Sequence, residues 1–185
     1  MNFNKHYNLI GKHAFLGASQ HAWLNYTPEK LVQMYRSRLA IERGTKLHEL
    51  AAMMIRQAVT FGTKSKQTLK RYVDDAIRYN MTPEVILYYS DNCFGTADAI
   101  SFNGHDLRIH DLKTGSNQAS MKQLMIYAAL FCLEYGLKPS EINIILRIYQ
   151  NDDIEEYNAT SEDIVPIMDK IKTNDKLLEE VKEDH

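Results

Sequence analysis

The sequence predicts an α+β domain built on a mixed sheet. Two observations carry this. Helical apolar spacing fills the first eighty or so residues, and strand-type alternation takes over after Pro83. A third fixes the order, because one long amphipathic stretch separates the first three strands from the last two. At 185 residues the chain fits a single domain, 1–185, with a sizeable core.

Thr27-Pro28 opens the first helix, with threonine as the cap and proline in the first turn, and apolar spacing carries it to about residue 42. Gly44 is expected to interrupt it, with a second helix over about 45–60 that ends before Gly62. Residues 65–79 read as a third helix closed by Asn80, and Lys64, Lys66, Lys70 and Arg71 make its start basic. Strands are expected over 85–89, 94–102 and 106–113, the last two joined by the hairpin signal Asn103-Gly104. Residues 118–135 form the long amphipathic helix, ended by Gly136 and Pro139. An apolar central strand follows over 142–149 and a shorter edge strand over 154–157. With Thr160 or Ser161 as cap, 160–185 is an acidic helical segment that Pro166 must kink or break near its start.

Charge divides unevenly. Residues 1–150 hold 18 Lys/Arg against 12 Asp/Glu, whereas 151–185 hold 4 against 12. A basic body suits a polyanion such as nucleic acid, and equally a solvated surface with an acidic amphipathic tail. The longest apolar run is far short of a membrane span, and the N-terminus has no run of signal-peptide type. Cys93 and Cys132, far apart and without Cys-x-x-Cys spacing, make neither a disulfide framework nor a zinc site. The expectation is a cytoplasmic protein that does not enter membranes.

The stretch Ile109-His110-Asp111-Leu112-Lys113 carries the chemistry. Leu107, Ile109, Asp111 and Lys113 alternate onto one strand face, so two charges follow two core residues. On the preceding strand Phe94, Thr96, Asp98, Ile100 and Phe102 are expected to share a face, with Gly95, Ala97, Ala99 and Ser101 on the other. A two-residue loop at Asn103-Gly104 sets Asp98 diagonal to Asp111, and a four-residue loop sets them directly opposite. Two crowded carboxylates repel each other and resist desolvation, which a divalent cation relieves. The alternative is a buried Asp–Lys ion pair with a second aspartate reaching the sheet edge. His48 flanks an apolar helical stripe of Leu47, Ala51, Met54 and Ala58, where a satisfied boundary histidine is the simpler account. Gln123 and Tyr127 lie one helical turn apart and by pattern alone form a polar boundary pair.

Four motifs occur in order: Arg43-Gly44-x-x-x-His48, Gly95-Thr96-x-Asp98, Asp111-x-Lys113-Thr114-Gly115 and Gln123-x-x-x-Tyr127. They fall on predicted helix, strand, strand and helix. Together they resemble the PD-(D/E)xK nuclease superfamily, in its RecB-like exonuclease branch and especially the phage-encoded members. The resemblance covers roughly residues 19–157. It implies a restriction-endonuclease-like αβββαβ core, with a mixed central sheet flanked by helices. It implies that His48, Asp98, Asp111 and the Leu112 carbonyl hold Mg²⁺ or Mn²⁺. Lys113 then orients or helps deprotonate the attacking water, while Gln123 and Tyr127 position Lys113 and contact DNA. Arg43, Thr45 and Thr114 become secondary DNA contacts, joined by the basic residues Lys64, Lys66 and Lys70. Some relatives carry four cysteines for an iron–sulfur cluster, and two distant cysteines do not provide them, so no cluster is expected. No Walker-type motif is present, so processive digestion needs a partner, such as a recombination or replication protein, or an oligomer. The function implied is a metal-dependent DNA exonuclease of phage replication, recombination or DNA breakdown, in the host cytoplasm. A nicking or structure-specific endonuclease, and a non-catalytic binding module on the same fold, are the alternatives.

Overall fold

A computed structural model of the chain describes residues 5–62, 67–115 and 119–183. Two compact units divide it, Met1–Arg43 and Gly44–His185. The first holds two short 3₁₀ turns, Tyr7–Leu9 and His21–Asn25, and the opening of helix α1 (Pro28–Arg56). The amide of Lys30 donates to the Thr27 hydroxyl, so threonine caps that helix as its sequence predicts. None of the unit's described residues is buried.

The second unit begins with the rest of α1 and continues through α2 (Thr68–Arg78), β1 (Thr82–Ser90), β2 (Cys93–Phe102) and β3 (Asp106–Leu112). Helix α3 (Lys122–Glu134), β4 (Asn143–Gln150), β5 (Asp153–Ala159) and α4 (Ser161–Glu183) complete it. The five strands form one sheet in the order β1-β2-β3-β4-β5, antiparallel except for the parallel pair β3–β4. The fold is thus α+β, with a mixed sheet flanked by helices. On one side α3 and α4 bury Leu124, Ala128, Leu130, Ile164 and Ile171 against Leu107, Ile109 and Leu146. On the other, Ala51 and Ile55 of α1 join Tyr72, Val73 and Ala76 of α2 over Ala99, Leu112 and Tyr149. Each large aliphatic side chain fully buried in this way contributes roughly 1.5–3 kcal/mol. Pro83 lies on an edge strand, where proline is tolerated.

Three expectations need correction. Gly44 does not end a helix; α1 runs through it. A Cβ at Gly44 would stand 2.9 Å from the Thr114 hydroxyl, so glycine serves close approach there, at the modest helical cost of about 1 kcal/mol. Pro166 lies inside α4, which continues past it, so of the expected kink or break the break does not occur. The proline costs one intrahelical hydrogen bond, and Asp163 secures the helix start by accepting from the Thr160 amide and hydroxyl. The start of the third predicted helix, with Lys64 and Lys66, lies outside the described residues.

The third correction concerns the strand faces. Gly95 lies under Tyr127 of α3, while Phe102, seven positions later, packs edge-on against Phe131 of the same helix. An odd separation on one face means that the alternation breaks once between them. The break falls at Asp98. Pairing runs through Val85↔Ala97 and Pro83↔Ala99 but skips Glu84 and Asp98, and Glu84 sits at φ 56°. Facing residues of β1 and β2 therefore turn together. Phe94 and Thr96 consequently do not share a face with Phe102.

Behind the sheet, His110 is wholly buried. The Tyr149 hydroxyl donates to Asp75 at 2.8 Å, so at 3.2 Å it accepts from His110 Nδ1, leaving Nε2 without a partner. Burial, reinforced by Arg147, Arg108 and Arg78, pushes the imidazole from 6.5 down to about 3. Above the ordinary value it is neutral in both folded and unfolded chains. Below it only the unfolded chain gains the proton, so stability falls as pH falls, by up to about 1.4 kcal/mol per pH unit. His110→Phe is expected to flatten this loss between about pH 6.5 and 4, as thermal melts across that range will register.

Candidate metal centre

The break in β1 and β2 creates the site. His48 Nδ1, from α1, stands 3.3 Å from Asp98 Oδ2. Glu84 joins them, and one ligand atom from each of the three lies within 4.8 Å of the others. Imidazole nitrogen and carboxylate oxygens in that spacing match the donor set of a borderline-hard divalent cation. The hydrogen bond to Asp98 holds the His48 pKa above its ordinary value, against the opposing effect of burial. Glu84 is raised as well, by partial burial and then by the negative charge of Asp98. The Asp98 carboxylate contributes to both shifts.

The hairpin register explains how Asp98 meets the next strand. Phe102↔Leu107 fixes a four-residue loop, and Asn103 braces it by accepting from the amides of His105 and Asp106. Continued one step further, that register faces Asp98 with Asp111. The ladder instead stops at Ala99↔His110, and the Asp98 carboxylate takes the Leu112 amide at 2.8 Å. Strand pairing is exchanged for side-chain capture, which leaves a gap in the sheet at the carboxylates.

Asp111 is only 2% exposed. Lys113 Nζ donates to its Oδ1 at 3.2 Å. Nζ is also 3.0 Å from Oδ2, yet that oxygen receives no hydrogen bond. Burial, then the charge of Asp98, raises the Asp111 pKa despite Lys113. A buried carboxylate that its lysine only partly satisfies fits a position beside a cation. Lys113 is fixed at both ends. Its amide donates to the Tyr149 carbonyl at 2.9 Å, and Nζ donates to Gln123 Oε1 at 2.8 Å. Gln123 Nε2 donates in turn to the Tyr127 hydroxyl at 2.9 Å. The pair that the sequence offered as a polar boundary is therefore a relay ending on Lys113.

Gly95 sets the far end of that relay. A Cβ there would lie 2.9 Å from Tyr127 Cε1, so the ring must move. Gly95→Ala is expected to cost about 1–3 kcal/mol of stability. It should also displace the Gln123 amide and with it the Lys113 ammonium, because Gln123 donates to the Tyr127 hydroxyl and accepts from Lys113. Thermal melts and a crystal structure of the variant will register the two effects.

His48, Asp98, Asp111, Lys113, Gln123 and Tyr127 are thus linked by direct contacts or shared charge. Leu112 contributes its N–H; a ligand role for its carbonyl rests on the resemblance. Thr45 and Thr114 are exposed on α1 and just beyond β3, and Arg43 is exposed at the end of the first unit. Lys70 lies on α2 with Nζ 5.4 Å from the Phe61 ring centroid. Glu84 was missed by the sequence reasoning. The available signal was a charged residue following Pro83 at the start of an otherwise apolar strand. Among the described residues, no helix is long and apolar enough to cross a membrane. Compared with known protein families, curated proteins and solved structures, the chain matches none of them.

Proposed function

We propose that this chain is a metal-dependent deoxyribonuclease of the PD-(D/E)xK type, from the RecB-like branch, acting as an exonuclease in phage DNA replication, recombination or degradation. One observation carries the reading. A His–Glu–Asp cluster adjoins a buried aspartate whose lysine is held by a Gln–Tyr relay, all at one gap in a mixed sheet. The order helix, β1, β2, β3, α3, β4 supports it, being the αβββαβ order of such nucleases.

His48, Glu84 and Asp98, with Asp111 beside them, would hold Mg²⁺ or Mn²⁺. Such an ion supplies a water of lowered pKa and positive charge against the phosphate. The chain's own residues do the rest. Asp111 anchors the Lys113 ammonium from below, and Gln123 Oε1 accepts one of its protons, leaving the third directed outward. That free N–H orients the attacking water and stabilises charge gathering on the phosphate oxygens. Tyr127 keeps the Gln123 amide from rotating. Thr45, Thr114 and Arg43 contact the DNA backbone, with Lys64, Lys66 and Lys70 adding positive charge.

The test compares linear and covalently closed circular DNA, each with Mg²⁺, Mn²⁺ or chelator. Linear DNA is expected to shorten from its ends only with a divalent ion, and the circle to survive. Cutting of the circle would replace the exonuclease with an endonuclease. Intact DNA under every condition would overturn the enzymatic reading.

A further inference from the structure

The first unit contains a cavity of about 840 Å³ that the proposed chemistry does not use. Phe15, Trp23 and Tyr26, Gln20 and Asn25, and Arg38 are among the residues that line it. Among the described residues, no carboxylate lines it. The volume is that of a small-molecule site and exceeds what a single planar ring fills.

Contacts among the walls hold them in place. Trp23 donates its indole N–H to the Gly17 carbonyl at 3.0 Å, so what remains for a ligand is the ring surface. Phe15 is braced edge-on by Tyr35, with ring centroids 5.1 Å apart. Arg38 Cζ lies 6.0 Å from the Phe15 centroid, and its Nη2 reaches the His13 carbonyl at 3.4 Å. Its ion pair with Glu42 is exposed on both sides, an arrangement that contributes little and yields readily to a competing anion. Lys30 Nζ stands over the Tyr26 ring, 5.5 Å from its centroid, outside the residues that line the cavity. The charge of the whole unit agrees: residues 5–43 hold six Lys/Arg and two Glu.

Flat apolar faces stack on a planar ring, amides pair with its polar edge, and the guanidinium takes an attached anion. A base joined to a phosphate meets all three demands. We propose that this cavity binds a nucleotide unit, with its base against the aromatic wall and its phosphate on Arg38. The unit is either a free nucleotide or one residue of a single strand. This goes beyond the nuclease reading, since the cavity shares no residue with the metal centre.

Trp23 is the chain's only tryptophan, so its fluorescence reports the site directly. The full-length protein is titrated in chelator, where no metal-dependent cleavage occurs, with dTMP, with a ten-residue oligothymidylate and with inorganic phosphate. Saturable quenching by dTMP alone identifies a free-nucleotide site; quenching by both dTMP and the oligomer identifies a strand site. Either outcome supports the proposal. Arg38→Ala and Tyr26→Ala are each expected to weaken binding about tenfold, and Tyr26→Phe to preserve it. Absence of quenching by both nucleotides, or affinities unchanged in folded Arg38→Ala and Tyr26→Ala, would overturn it. If either alanine variant loses its fold, competition on the wild type decides. dTMP must displace a fluorescent oligomer where the same concentration of phosphate does not, and equal displacement by phosphate overturns base recognition. Because the readout needs no metal, failure here leaves the nuclease reading standing, and the reverse also holds.

Discussion

Asp111→Asn is expected to lower DNA cleavage by on the order of a thousandfold or more while raising the melting temperature of the metal-free protein. The two effects share one cause. Burial and the charge of Asp98 both work against an ionised Asp111, and Lys113 only partly compensates. A neutral amide of the same shape removes that penalty. It also removes the anion that anchors Lys113 and would neighbour the proposed cation. Binding of DNA in chelator should be largely kept, because the exposed contacts are untouched. Loss of cleavage together with a lower melting temperature would mean that Asp111 is a structural ion-pair partner of Lys113 and no more. Undiminished cleavage would remove the site altogether. Calorimetry and a plasmid-digestion assay on the same preparations distinguish these outcomes.

Glu84→Ala is expected to weaken Mn²⁺ binding by about 10–100-fold and to lower cleavage at limiting metal, with partial recovery as the metal concentration rises. Glu84 is exposed and makes no contribution to either core cluster, so its removal should leave thermal stability near wild type. Asp98→Asn provides the contrast. It should weaken metal binding and also disturb the hydrogen bond to the Leu112 amide, so that affinity and stability fall together. Isothermal titration with Mn²⁺, beside thermal melts, reads both. An unchanged Mn²⁺ affinity in Glu84→Ala would leave Glu84 as a bystander to a His48–Asp98 pair.

Much of the sheet was legible in the sequence because strand alternation and turn chemistry are local. Asn103-Gly104, the apolar run ending at Tyr149 and the short segment around Tyr157 each carried their position in their own residues. Helix continuity across Gly44 was not legible. A glycine read in isolation is a helix breaker, and the reason for this one is Thr114, seventy positions away in sequence. The site was legible as a set of residue types but not as a geometry. Alternation placed Asp98 on a shared face with Phe94 and Phe102, although the strand turns over at that very residue. Glu84 was hidden for the same reason. Its place in the cluster with His48 and Asp98 depends on the positive φ that pairs it with the turn at Asp98, and no side-chain pattern announces a backbone dihedral. The Gln123–Tyr127 pair showed the opposite behaviour. Its helical spacing was visible, but only the position of Lys113 gave that spacing a purpose.

The matched turn of β1 and β2 also governs how this chain tolerates changes in length. Pairing resumes in the same register on both sides of Glu84 and Asp98, so the two strands are in phase only while each keeps its residue count. An insertion in the turn near Asp91 lengthens a loop outside the His48–Glu84–Asp98 cluster. A single deletion between Glu84 and Tyr88, or between Phe94 and Asp98, shifts one of these carboxylates against the other and turns it to the wrong side of the sheet. Variation in length among descendants of this sequence should therefore gather at the tip of the hairpin and vanish along its arms. A designer moving the centre into another scaffold must transplant both arms together.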